Sequence, residues 1–134
     1  MIRRALPVAT VLACAITLTG CASNSVGDLP PRPALINHPV FFTLKNPDHA
    51  DELIADCNER LASIPGIVSY YCGRHFETGR ATVNADYTVG LFVGFDSAED
   101  YEAYVTHPDH VWIVQKWRPR TEILRVHDIL DESR

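Results

Sequence analysis

The chemistry this 134-residue chain offers lies first in its thiols and imidazoles. Of four cysteines, Cys21 closes Leu18-Thr19-Gly20-Cys21, after Arg3, Arg4 and an apolar run from Ala5 to Leu18. A basic start, a short apolar stretch and small residues before a cysteine form a lipoprotein signal, in which the thiol is acylated and the freed amine takes a further chain. The run is shorter than the ~20 residues a spanning helix needs. Cleavage before Cys21 removes Cys14 and leaves Cys57 and Cys72 as the internal pair. Counting ~9 Å of helix after Cys57 against ~20 Å of strand before Cys72 gives an offset on the order of 10 Å, beyond the ~7 Å limit on Cα separation in a disulfide. Two buried, unpaired thiols are expected.

His107 and His110 stand three residues apart, a spacing at which two imidazoles on one helix could share a metal ion. No second pair of comparable spacing exists, so no metal is expected. The same stretch starts a helix well: Thr106 or His107 as cap, Pro108 in the first turn, Asp109 at the positive end of the dipole. His49, His75 and His127 are expected on solvated polar faces. Trp112 and Trp117 read as core or dimer-interface anchors, and Lys116, Arg118 and Arg120 as a solvated basic cluster.

These residues need a scaffold. Loss of Arg3 and Arg4 with the signal takes the formal charge from −5 to −7, which argues against nucleic acid as a partner. The chain divides into a signal at 1–20, the lipidated cysteine with a proline-rich tether at 21–36, and one domain at 37–134. Within that domain Val40, Phe42 and Leu44 alternate with Phe41 and Thr43 as a first strand. Asn46-Pro47-Asp48 opens a helix carrying Leu53, Ile54, Cys57, Leu61 and Ile64, and Pro65-Gly66 ends it. Strands follow at 67–76 and 87–95, joined by a loop. Ser97 with Asp100 resembles a capping box at the next helix, a short helix spans 108–117, and a last strand spans 122–130.

The order β-α-β-β-α-β predicts an α+β, ferredoxin-like, four-stranded antiparallel sheet with helices on one face. Val89, Leu91, Val93 and Phe95 belong to the helix side, Gly90, Phe92 and Gly94 to the other. That second face is too apolar for water and too polar for a dry core. Packing it against an identical sheet makes a dimeric α+β barrel with room for a cavity between the sheets.

Tyr104-Val105-Thr106-His107-Pro108-Asp109-His110 occurs in order with His38-Pro39-Val40-Phe41-Phe42, Ile64-Pro65-Gly66, Gly73-Arg74, Asp86-Tyr87, Phe95 and Lys116-Trp117-Arg118-Pro119. Over roughly residues 38–129 this pattern resembles the stress-responsive dimeric α/β-barrel (Dabb) family, which implies a dimer of ferredoxin-like subunits. One plant branch of that family closes polyketide chains by an aldol-type condensation. The resemblance implies Tyr104 and His110 as its acid/base pair and His38 as a residue lining the same pocket. A neutral imidazole can take a proton beside a carbonyl while a phenol holds the developing oxyanion. His75 departs from that branch, which has an acidic residue there.

The combined expectation is a homodimeric, stress-linked lipoprotein of the bacterial envelope, tethered through Cys21. Ala22 in place of Asp favours the periplasmic face of the outer membrane. Its sheet-to-sheet cavity, lined by His38, Tyr104, His110 and Phe92, is expected to bind a small apolar molecule without cofactor or metal. The alternatives are an acid/base cyclase, isomerase or lyase working through His110 and Tyr104, and an envelope interaction module without ligand.

Overall fold

A computed structural model describes residues 31–133 of the chain. Arg3, Arg4, Cys14, Cys21, Ala22 and the tether as far as Pro30 lie outside the described residues. Among the described residues no helix is long and apolar enough to cross a membrane.

Strand β1 (Ile36–Leu44) leads into a single 3-10 turn, where Asn46 accepts the Asp48 N–H at 3.1 Å, and then into α1 (Ala50–Arg60). The turn after α1 ends at Gly66, whose φ of 90° suits a residue without a side chain. Strands β2 (Ile67–Arg74) and β3 (Val89–Phe95) follow. At the start of α2 (Ala98–Thr106) Ser97 Oγ accepts the Asp100 N–H at 3.1 Å, while the Asp100 carboxylate accepts the Ser97 hydroxyl at 2.6 Å. The chain then bends at His107, whose Nδ1 accepts the Asp109 N–H at 3.2 Å, so the expected cap of α3 (Pro108–Trp117) is in place. A 3-10 turn at Arg118–Arg120 leads to β4 (Thr121–Val126) and the two-residue β5 (Ile129–Leu130).

The sheet order is β2-β3-β1-β4, all neighbours antiparallel, with β5 alongside the start of β1. This is the ferredoxin-like α+β fold expected from the sequence. Several boundaries differ: β2 ends at Arg74 and not at 76, and β3 starts at Val89 and not at 87. β1 starts at Ile36, and Ala34 before it is buried, so the domain begins at Pro31 and not at 37. Proline content suggested a linker, but Ala34 fills a hollow over Gly94, where an added Cβ would lie 2.6 Å from the Ala34 Cβ. The last strand also breaks at His127-Asp128 instead of running through to Leu130.

Alternation along the strands puts Val40, Phe42, Leu44, Val89, Leu91, Val93 and Phe95 against Leu53, Leu61, Tyr104, Ile113 and Trp117 of the helical layer. Trp117 is fully buried and donates its indole N–H to Asp56 at 2.8 Å. Lys116 reaches Asp56 at 2.6 Å and Glu52 at 2.9 Å, and Arg120 forks onto Glu52 at 3.0 and 2.6 Å. Arg120, then Lys116, hold the Glu52 carboxyl down to about 2. Two of the three basic residues expected as a solvated cluster are therefore tied to α1. Trp112, half-buried, lies under the Arg60 guanidinium at 3.8 Å.

The thiols are unpaired, as expected. Cys57 and Cys72 face each other closely enough to interact, and that contact together with burial pushes the Cys57 thiol up. The helix ends at Arg60, so a six-residue turn separates it from β2. Cys72 is half-buried, not buried.

The opposite face carries Tyr71 stacked on Phe92 at 4.9 Å and Phe41 edge-on to Tyr87 at 4.9 Å, with Tyr71 63% exposed. His75 is not simply solvated: it is half-buried against Tyr87, with ring centroids 5.5 Å apart.

Gly66 also abuts α2, where an added Cβ would lie 2.7 Å from the Asp100 Cβ. Gly66→Ala is expected to lower stability by about 1–3 kcal/mol through the positive φ and this overlap. Urea denaturation reads it directly, and an unchanged midpoint would contradict this packing.

Candidate functional site

Alternation on β1 sends His38, Val40 and Phe42 to the helix side, and the pairing of β4 with β1 sends Leu124 and Val126 the same way. The bend at His107 splays α3 from α2, so that Tyr101, Tyr104 and Val105 face His110, Ile113, Val114 and Trp117 across a gap. The result is a cavity of about 260 Å³ between the sheet and the two helices of one subunit.

His38 is 7% exposed. Its Nδ1 lies 2.6 Å from Asp128 Oδ1, and Asp128 Oδ2 accepts the Tyr101 hydroxyl at 3.1 Å. Asp128 gets there because the final strand breaks before it. A carboxylate accepts only, so in its neutral form His38 donates from Nδ1 and keeps Nε2 as a lone pair. Tyr101 and Tyr104 stand edge-on to the His38 ring at 5.6 and 5.9 Å.

Tyr104 is buried, and burial pushes its phenol well above the ordinary value, so at neutral pH it is a hydrogen-bond donor. Its ring lies 4.5 Å from that of His110. His110 Nδ1 is 2.9 Å from the Val105 carbonyl, which also can only accept. The proton is therefore on Nδ1 and the second lone pair again on Nε2. Burial holds His110 below the usual histidine value, so the ring is neutral at pH 7. His107 is committed to capping α3 and does not join His110 as a pair of ligands.

The structure thus brings His38, Tyr104 and His110 together, and leaves Phe92 out. Phe92 points to the opposite face of the sheet, stacked on Tyr71, so no one cavity between sheets is lined by all four, and His38, Tyr104 and His110 line one inside the subunit. The period of two on β3 had already separated Phe92 from Leu91. Tyr101 and Arg118, also at the cavity, and Asp128, which stands behind His38, were missed. An aspartate inside a β-branched run was the available signal for Asp128, since Asp is depleted in strands.

With its folded value depressed, His110 stays neutral as pH falls past 6.5, while the unfolded chain takes up a proton. Stability contributed by the neutral ring is present above that pH and lost as pH falls through the folded value. An NMR titration of the His110 ring is expected to give a midpoint below 6.5. A midpoint at or above it would contradict the buried, Val105-bonded ring.

Residues 36–131 match the Stress responsive A/B Barrel Domain family, Dabb. A stress-response A/B barrel domain-containing protein of Arabidopsis thaliana is 29% identical over 105 residues, covering 75% of this chain and 49% of that protein. The chain thus spans about half the length of this curated relative. A Dabb protein with a ferredoxin-like fold from Mesorhizobium loti superposes with a TM-score of 0.60 at 29% identity, over 71% of this chain and 94% of that one. A dimeric ferredoxin-like protein from Thermobifida fusca gives a TM-score of 0.60 at 23% identity, over 71% and 89%. With the fold, the extent of the match and these relatives in agreement, the chain belongs to the Dabb family of stress-responsive A/B barrel domains.

Proposed function

We propose that the cavity binds a small, largely apolar carbonyl compound and moves a proton on it. The observation that carries this reading is the 2.6 Å contact between His38 Nδ1 and Asp128 Oδ1 at the cavity wall. A carboxylate behind an imidazole fixes its tautomer and stabilises the imidazolium that forms when Nε2 takes a proton. His38 is therefore the base. Tyr104, a neutral phenol, donates to the oxyanion that develops on the carbonyl. His110, neutral and held through Nδ1 by Val105, offers Nε2 to a ligand hydroxyl or passes the proton on. This gives His38 a larger part than that of a lining residue.

The setting is part of the same proposal. The open face with Tyr71 and Phe92 packs against the same face of a second copy, giving a homodimer with one cavity on each outer, helical side. Acylated Cys21 holds the dimer at the outer membrane, in a stress-linked role in keeping with the family's description. Because the domain starts at Pro31, the tether is residues 22–30, with a reach of about 30 Å at full extension.

Hydrogen–deuterium exchange beside the carbonyl of phenylacetone, followed by NMR on the full chain in D2O, tests the chemistry. His38→Ala is expected to slow exchange about 10²–10⁴-fold, and Asp128→Asn by a smaller factor. Saturable binding of phenylacetone with exchange no faster than in buffer would leave a binding protein and remove the enzyme.

A further inference from the structure

We propose that the ligand of this cavity carries a carboxylate, which Arg118 holds at the mouth while the apolar body enters. The inference rests on the reading that the cavity takes a small apolar molecule, and adds its class. Val105, Val114 and Val126 are 40%, 46% and 46% exposed and line the cavity. With them stands Arg118, exposed, four residues after Val114 and directly after the buried Trp117.

Arg118 is set apart from its neighbours. Lys116 is shared between Glu52 and Asp56, and Arg120 is forked onto Glu52. Among the described residues the Arg118 guanidinium has no ion pair or hydrogen bond. It is also the one Lys or Arg among the residues lining this cavity. An uncommitted guanidinium beside an apolar opening favours an anionic head over a cationic one, against the chain's overall charge of −5.

The head is a carboxylate and not a phosphate monoester. One planar fork matches the two oxygens of a monoanion. A dianion would need a second cation, and Lys116 and Arg120 are both engaged. At ~30 Å³ for a group the size of water, 260 Å³ admits a body of about eight or nine non-hydrogen atoms, leaving the head at the mouth. The ligand class is a short amphipathic acid.

Isothermal titration of the full chain with octanoate and with 1-octanol, at pH 8 and low salt, separates the two parts of the claim. Octanoate is expected to bind about five- to tenfold more tightly than 1-octanol, with the margin shrinking as salt rises. Arg118→Gln is expected to erase that margin and leave 1-octanol affinity unchanged. Equal affinities in the unaltered protein, or a margin that survives Arg118→Gln, would overturn the role of Arg118 while the cavity reading stands. Binding of neither molecule would overturn the cavity reading and this inference with it.

Discussion

Burying an imidazole on the apolar side of a central strand is the constraint around which this subunit is arranged. His38 lies opposite Val93 on β3, on the largely apolar helix side of the sheet beside the rings of Tyr101 and Tyr104. A polar group taken from water without a partner costs about 1–3 kcal/mol by mutational measures. Asp128 meets that cost at 2.6 Å while its own carboxylate stays half-exposed, so no full charge is buried. To deliver it, the last strand must leave the ladder after Val126. The His127 N–H bonds the Pro39 carbonyl at 3.0 Å, and β5 resumes beside Ile36 and Asn37. Tyr101 then ties α2 to the same carboxylate. One buried ring thus explains the break in the strand and the anchoring of α2 beside it.

The period of two along a strand decides what shares a compartment with that ring. His38, Val40 and Phe42 fall on the helix side, and Pro39, Phe41 and Thr43 on the open side. The open face is aromatic and partly exposed, and the helix face contains the cavity. The proposed association through one face and the proposed chemistry on the other are therefore separable in this fold.

The third element of design is the ionic seam between α1 and the end of α3. Glu52 and Asp56 sit one turn apart on α1 and take up Lys116, Arg120 and the Trp117 indole. The seam joins the two helices over the buried Trp117 and consumes two cations of three, so the remaining one, Arg118, is left to the cavity mouth. On the other side of α1, burial and the neighbouring Cys72 keep Cys57 a thiol, so it is a packing residue and a poor nucleophile.

The order of elements, the helix caps at Ser97 and His107 and the two faces of β3 were legible in the sequence, because each follows from local periodicity and local hydrogen bonding within a few residues. The cluster of His38, Tyr104 and His110 was legible through family resemblance. Asp128 as partner of His38, 90 positions away, was not, nor were the commitments of Lys116 and Arg120 or the approach of Cys57 to Cys72. Residue type and spacing define what a side chain can do and which face it occupies. Which distant group it meets depends on strand register, on where a strand breaks and on how many residues a turn takes, and those are set by packing the whole chain at once.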